Sequence, residues 1–177
     1  RVNSYAVRCF LESRPGLLER YRIIEDFLTG LDSPDFLPFK FLERGIKVQG
    51  NWYPVLKMEW CEGEPLDQHL HRVIKNSKRV EQLRVSFRDL VLRMEEKGIA
   101  HGDLQHGNIL INEDRLYLVD YDGMFVPRLS GNESVEVGHR NFQHPRRDSS
   151  LFETGLDNFS AWLIDSSLRI LAIDPGL

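Results

Sequence analysis

The spacing of apolar residues changes about a third of the way along the chain, from strand-like runs to helical periodicity. Residues 5–11 (YAVRCFL) form a short apolar run between Asn3-Ser4 and Ser13-Arg14-Pro15-Gly16, which predicts a strand. Leu17, Leu18, Tyr21, Ile24, Phe27, Leu28 and Leu31 then recur at steps of three and four, the mark of one buried helix face, and Ser33-Pro34 closes it. Residues 36–45 and 46–57 read as strands, with a hairpin turn at Gln49-Gly50-Asn51. Residues 55–60 run as a strand into a turn at Glu62-Gly63-Glu64-Pro65. Beyond that point residues 66–74 and 80–97 are helical in pattern, and Gly98 is placed to cap the second helix. Two short strands, 109–111 and 116–119, flank the turn Asn112-Glu113-Asp114-Arg115. Residues 125–147 have no period and are rich in Gly, Pro, His and Arg, as in a long functional loop, and residues 156–172 form a last apolar helix. The expected class is α+β: an antiparallel-sheet lobe with one helix over residues 1–60, a hinge near 59–64, and a mainly helical lobe over 61–177.

Composition narrows the function classes. With 177 residues, 41% of them apolar, the chain can bury a real core. A net charge of -4 argues against a general nucleic-acid binder, and the basic runs at 75–79 and Arg146-Arg147 read as solvated surface. No apolar stretch approaches the ~20 residues that span a bilayer and nothing resembles a signal peptide, so a cytoplasmic setting is the default expectation. Cys9 and Cys61 are far apart and read as small apolar fillers rather than a disulfide, and no histidine has zinc-ligand spacing. A start without Met and a finish at Pro175-Gly176 suggest that both ends are cut.

The chemistry is concentrated in residues 101–120 (HGDLQHGNILINEDRLYLVD). A loop after a long helix presents Asp103, then Asn108, then a two-strand turn, then Asp120. Phosphoryl transfer asks little covalent work of a protein: it needs metal to neutralise phosphate charge and a positioned carboxylate for the acceptor. These three side chains supply such parts in the expected order.

HGDLQHGNIL followed by LYLVDYDG resembles the catalytic loop and metal-binding segment of the protein-kinase superfamily. The resemblance implies that Asp103 is the catalytic base, that Asn108 and Asp120 hold magnesium or manganese on ATP, and that Leu110 lines the adenine pocket. It extends to YAVR, similar to the strand that grips the phosphates, which implies Ala6 and Arg8 at the nucleotide. In VLKMEWCEGEPL, similar to the hinge strand, Met58 falls at the gatekeeper, with the Glu59 carbonyl and the Cys61 amide as hinge contacts. Gly138, Phe142 and Pro145 have the spacing of a substrate platform, and Asp157 with Phe159-Ser160 resembles the start of the central helix, whose aspartate supports the catalytic loop. The platform and that helix favour protein kinases over the antibiotic and choline phosphotransferases, which share the HGD and GN pieces. Taken together, YAVRCF, KMEW, AHGDLQHGN, LVDYDGMFVP and GHRNFQHP resemble a bacterial group of kinase-like proteins found with von Willebrand type A proteins and PP2C-type phosphatases.

The pattern also breaks. Arg8 stands where an active kinase has lysine, and a planar guanidinium does not replace an ammonium. Register puts Ile24 nearest the helix glutamate, with Glu25 one step away and Glu19 further back, so the expected ion pair is either missing or shifted. Pro65 falls near a ribose contact, which leaves Glu64 or Asp67 to serve. Gly102 removes an arginine that would pair with a phosphorylated loop, Gln105 replaces a lysine, and Asp122 is either a turn residue or a second metal contact. The leading expectation is an ATP- and magnesium-dependent serine/threonine protein kinase acting on a protein partner. The alternatives are a pseudokinase that scaffolds a phosphatase or von Willebrand type A protein, and a small-molecule phosphotransferase.

Overall fold

The computed structural model describes residues 4–11, 16–31 and 33–176. The turn signals at residues 12–15 and the start of the chain at 1–3 lie outside the described residues. The architecture is α+β, an antiparallel sheet followed by helices, in two compact units, Arg1–Glu62 and Gly63–Leu177.

The first unit contains β1 (Tyr5–Cys9), α1 (Leu17–Leu31), β2 (Phe39–Val48) and β3 (Asn51–Glu59). Its sheet is antiparallel in the order β1-β3-β2. Gln49 and Gly50 both have positive φ, 49° and 87°, the turn whose twist matches that of paired strands. The strand break expected at 45/46 is absent: β2 continues through it, with a register shift between Leu42 and Ile46. Gly45 lies in that irregularity, and any Cβ there would overlap the Val55 side chain. The α1 stripe buries Tyr21, Ile24 and Leu28. Tyr21 stacks on Phe41 at 4.8 Å and meets Phe39 and Phe10 edge-on at 6.2 and 5.8 Å, so an aromatic cluster fastens helix to sheet.

The second unit contains β4 (Glu64–Pro65), α2 (Leu66–Val73), α3 (Ser77–Glu96), β5 (Ile109–Asn112), β6 (Arg115–Leu118) and α4 (Asn158–Ile173). Where the sequence suggested only a turn, Glu64 and Pro65 pair with Ile111 and Leu110 as the edge strand of β4-β5-β6. An edge tolerates proline because one side of the strand needs no N–H. Asn76 caps α3 by accepting the Arg79 N–H at 3.2 Å. At the other end Gly98, with φ 69°, donates to Glu95 O and Ile99 donates to Met94 O, each at 2.9 Å, closing the helix in a Schellman motif. α3 packs on α4 and buries Phe87, Leu90 and Met94, while α4 buries Ile164 and Leu168. Among the described residues no helix is long and apolar enough to cross a membrane.

Candidate active site

The loop between α3 and β5 is fixed from three sides. Ala100 and Phe125 exchange backbone hydrogen bonds of 3.1 and 2.8 Å. His101 is fully buried; its Nε2 faces Val119 O at 2.9 Å and its Nδ1 faces the Asp103 N–H at 3.3 Å. Those partners assign the ring proton to Nε2, since only Nδ1 has a donor opposite it. From below, the buried carboxylate of Asp157 accepts the N–H groups of His101 and of Gly102, the latter at 2.9 Å. Burial pushes the Asp157 carboxyl above its usual range, and the two N–H groups oppose that shift. Gly102 has φ 82°, and a Cβ there would overlap the Gly123 carbonyl, so the backbone of the following segment occupies the space an arginine would need.

Held in this way, Asp103 presents a half-buried carboxylate with both oxygens engaged. Oδ1 accepts the His139 N–H at 2.6 Å, and Oδ2 accepts Asn108 Nδ2 at 3.0 Å and Gln105 Nε2 at 3.1 Å. Asn108 Nδ2 also donates to Asp103 O at 2.9 Å. Two acceptors on the nitrogen decide the amide's orientation, and Oδ1 is the atom left as an acceptor for something else. Asp120 follows directly. Val119 donates to Asn108 O at 3.1 Å while its own carbonyl receives His101, so the residue before Asp120 is pinned to both ends of the Asp103 loop. Asp120 is exposed and has φ 65°, a left-handed conformation that a non-glycine residue adopts at a cost and that recurs at functional sites. Asp122 lies inside the turn closed by Met124 N–H to Tyr121 O at 3.1 Å. Leu110 is half-buried on the face of β5 opposite the core residues Ile109 and Ile111.

Among the described residues no three or more His, Cys, Asp or Glu side chains assemble into a metal-binding group. Asn108 and Asp120 are hard oxygen donors, but two are too few for a dedicated cage. They fit a divalent ion of the magnesium type, which keeps its waters and takes most of its ligands from phosphates.

In the first unit Ala6 and Arg8 lie on β1 opposite Met58 and Leu56, and Met58 is buried. Arg8 is exposed, its guanidinium 5.3 Å from the Phe10 ring centroid. Glu25 Oε2 accepts the Phe41 N–H at 3.3 Å. The Glu59 N–H donates to Pro38 O at 2.9 Å, and Pro38 has no N–H to return, so the ladder supplies the Glu59 carbonyl with no donor from that residue. Cys61 is a free, half-buried thiol. In the second unit Glu64, one of two residues expected near a ribose, is already engaged with His69 at 2.8 Å and with Arg72, whose guanidinium lowers its pKa.

The platform spacing is realised as a loop lying on Asp103. Gly138 has φ 73°, and a Cβ there would come within 2.8 Å of Asp103 Oδ1, Gly102 O and Gln143 Nε2. Ser160, fully buried at the start of α4, donates to Phe142 O at 2.6 Å. Reading Arg146-Arg147 as solvated surface is half wrong. Arg146 is exposed, but Arg147 turns inward and donates to Gly102 O at 2.7 Å and Gln143 Oε1 at 2.5 Å, with burial lowering its pKa. Nothing in the local sequence distinguishes these two arginines; only the neighbouring loop does.

Residues 52–130 match the family described as the ABC1 atypical kinase-like domain. This span is just under half of the chain; it includes Asp103, Asn108 and Asp120 and leaves out Arg8, Glu25 and residues 138–147. The chain is also 35% identical over 88 residues to a probable bifunctional tRNA threonylcarbamoyladenosine biosynthesis protein of Methanosarcina acetivorans, covering 50% of this chain and 14% of that protein. A protein of the same description from Methanosphaera stadtmanae is 35% identical over 52 residues, 29% of this chain and 10% of its own length. The chain therefore spans only a small part of these relatives. With the fold, these similarities make the chain kinase-like, at the level of the protein-kinase-like superfamily.

Proposed function

We propose that this protein transfers the γ-phosphoryl group of ATP to serine or threonine hydroxyls of a protein, in the manner of the bacterial kinase-like group its motifs resemble. The observation that carries the reading is the Asp103 carboxylate, oriented by three donors, beside an Asn108 amide whose oxygen faces away from it and an Asp120 in left-handed conformation. Asp103 orients the acceptor hydroxyl and takes up its proton as the oxygen attacks. Asn108 and Asp120 would hold the divalent ion of the nucleotide, and that ion would supply charge neutralisation at the phosphates. Met58, Glu59 and Cys61 belong to the same proposal as adenine-side contacts. A PP2C-type phosphatase or a von Willebrand type A protein is the proposed regulatory partner. The relatives are named for tRNA threonylcarbamoyladenosine biosynthesis, and the protein acceptor proposed for this chain rests on its own motifs.

The test is transfer of labelled γ-phosphate from ATP with magnesium. Asp103→Asn lowers the rate at least about a hundredfold, the usual contribution of a general base; a variant as active as the wild type removes Asp103 from the mechanism. A second reading, a nucleotide-binding pseudokinase, is favoured by one observation, the arginine at position 8 where an active kinase carries lysine. Calorimetric binding of Mg-ATP without turnover by the wild type decides for it.

A further inference from the structure

The loop over residues 138–147 touches Asp103 with one side and solvent with the other, and the two sides differ in chemistry. Inward, the His139 N–H meets Asp103 Oδ1 and Arg147 holds Gly102 O, so the loop is fastened at both ends to the residues that carry Asp103. Outward, it exposes Arg140 and Arg146, each next in the chain to one of those fastening residues. Neither forms an ion pair among the described residues. The loop contains no acidic residue, although the whole chain carries a net charge of -4. Its acidic neighbours point elsewhere: a Glu136 carboxylate oxygen lies against Gly123, and the Asp148 carboxylate is taken by the N–H and hydroxyl of Ser150, at 2.9 and 2.5 Å. Between the arginines the surface is aromatic, with the half-buried Phe142 ring 5.2 Å from His106 and 5.6 Å from His139.

Unpaired surface arginines impose little by themselves. Held on a rigid loop at the acceptor carboxylate, they select by charge whatever approaches it. We propose that residues 138–147 recognise the acceptor and select acidic protein segments, with Arg140 and Arg146 as the selecting charges. The proposal rests on the reading of Asp103 as the acceptor site, and it adds the class of acceptor. Peptide is favoured over RNA because two unpaired arginines on a chain of net negative charge match a few carboxylates, whereas a polyphosphate backbone calls for a longer basic track.

The experiment uses two fluorescent serine peptides of equal length, one flanked by Asp and Glu and the other by Lys and Arg. Binding to the protein is measured by anisotropy with Mg-ATP present, and phosphate transfer separately. The acidic peptide binds more tightly, and R140E/R146E weakens it roughly tenfold, about 0.7 kcal/mol for each reversed rim charge, while the same variant gains affinity for the basic peptide. That gain shows the variant to be folded. In the transfer assay the effect falls on KM rather than kcat. Preference of the wild type for the basic peptide, or an acidic-peptide affinity unmoved by the double reversal, overturns the proposal. An RNA oligonucleotide that outcompetes the acidic peptide in an arginine-dependent way also overturns it, in favour of nucleic acid. Arginine-dependent acidic binding without transfer to either peptide supports the surface and removes the catalytic reading of Asp103, so the two failures are distinguishable.

Discussion

Removing the Asp157 carboxylate tests whether the Asp103 loop is held as described. In Asp157→Ala the N–H groups of His101 and Gly102, both on buried residues, lose their only acceptor among the described residues. Each buried donor left unpaired costs about 1–3 kcal/mol, and the relief of no longer burying a carboxylate offsets part of the sum, so a net loss of about 2–4 kcal/mol is expected. Asp157→Asn keeps one acceptor oxygen and turns an amide N–H toward the second donor, which places it between alanine and wild type. Urea unfolding of the ligand-free chain at neutral pH measures both, with the slope m unchanged and the midpoint lowered. The pH dependence supplies a second check. Burial raises the folded-state pKa of Asp157 above its ordinary 3.8, so the folded chain binds this proton more tightly than the unfolded chain. The group's contribution to stability is then greatest below 3.8 and declines as pH rises through the folded value. The deficit of Asp157→Asn relative to wild type is accordingly smaller above the folded value than at pH 3.8. If alanine and asparagine both unfold within about 0.5 kcal/mol of wild type, the range of ordinary surface substitutions, the support assigned to Asp157 is wrong.

Two further substitutions probe the backbone around the site. Gly138→Ala places a methyl group 2.8 Å from Asp103 Oδ1 and Gly102 O at a positive φ; it should slow hydrogen exchange less at the His139 amide than wild type does and lower phosphate transfer, and full protection of that amide would refute the close packing. Gly98→Ala, at φ 69° in the closing motif of α3, should lower stability by about 1 kcal/mol in thermal unfolding, and an unchanged midpoint would refute the capping role.

Much of the fold was legible because it follows from local chemistry. The stripe from Leu17 to Leu31 marked α1 to the residue, Gly98 marked the end of α3, and the turn residues Gln49-Gly50 and Glu113-Asp114 sit at the two hairpins. The order Asp103, Asn108, Asp120 was likewise readable, since it is a property of the chain. Sequence failed where a residue's state depends on a distant neighbour. Gly45 looked like the end of a strand until Val55 explained the irregularity in β2, and Pro65 looked like a turn until Leu110 paired with it.

The sequence by itself determined most of the helices and strands and which oxygen-bearing side chains share the loop after α3, because periodicity, caps and turn residues act over a few positions. Tertiary structure alone decided what those side chains face: Asn108 turned its nitrogen to Asp103, Glu25 took the Phe41 backbone N–H, and Arg147 went inward while Arg146 stayed in solvent. The physical reason is that hydrogen bonds and burial depend on distances between segments remote in sequence, and residues 103 and 139 meet only once the chain has folded.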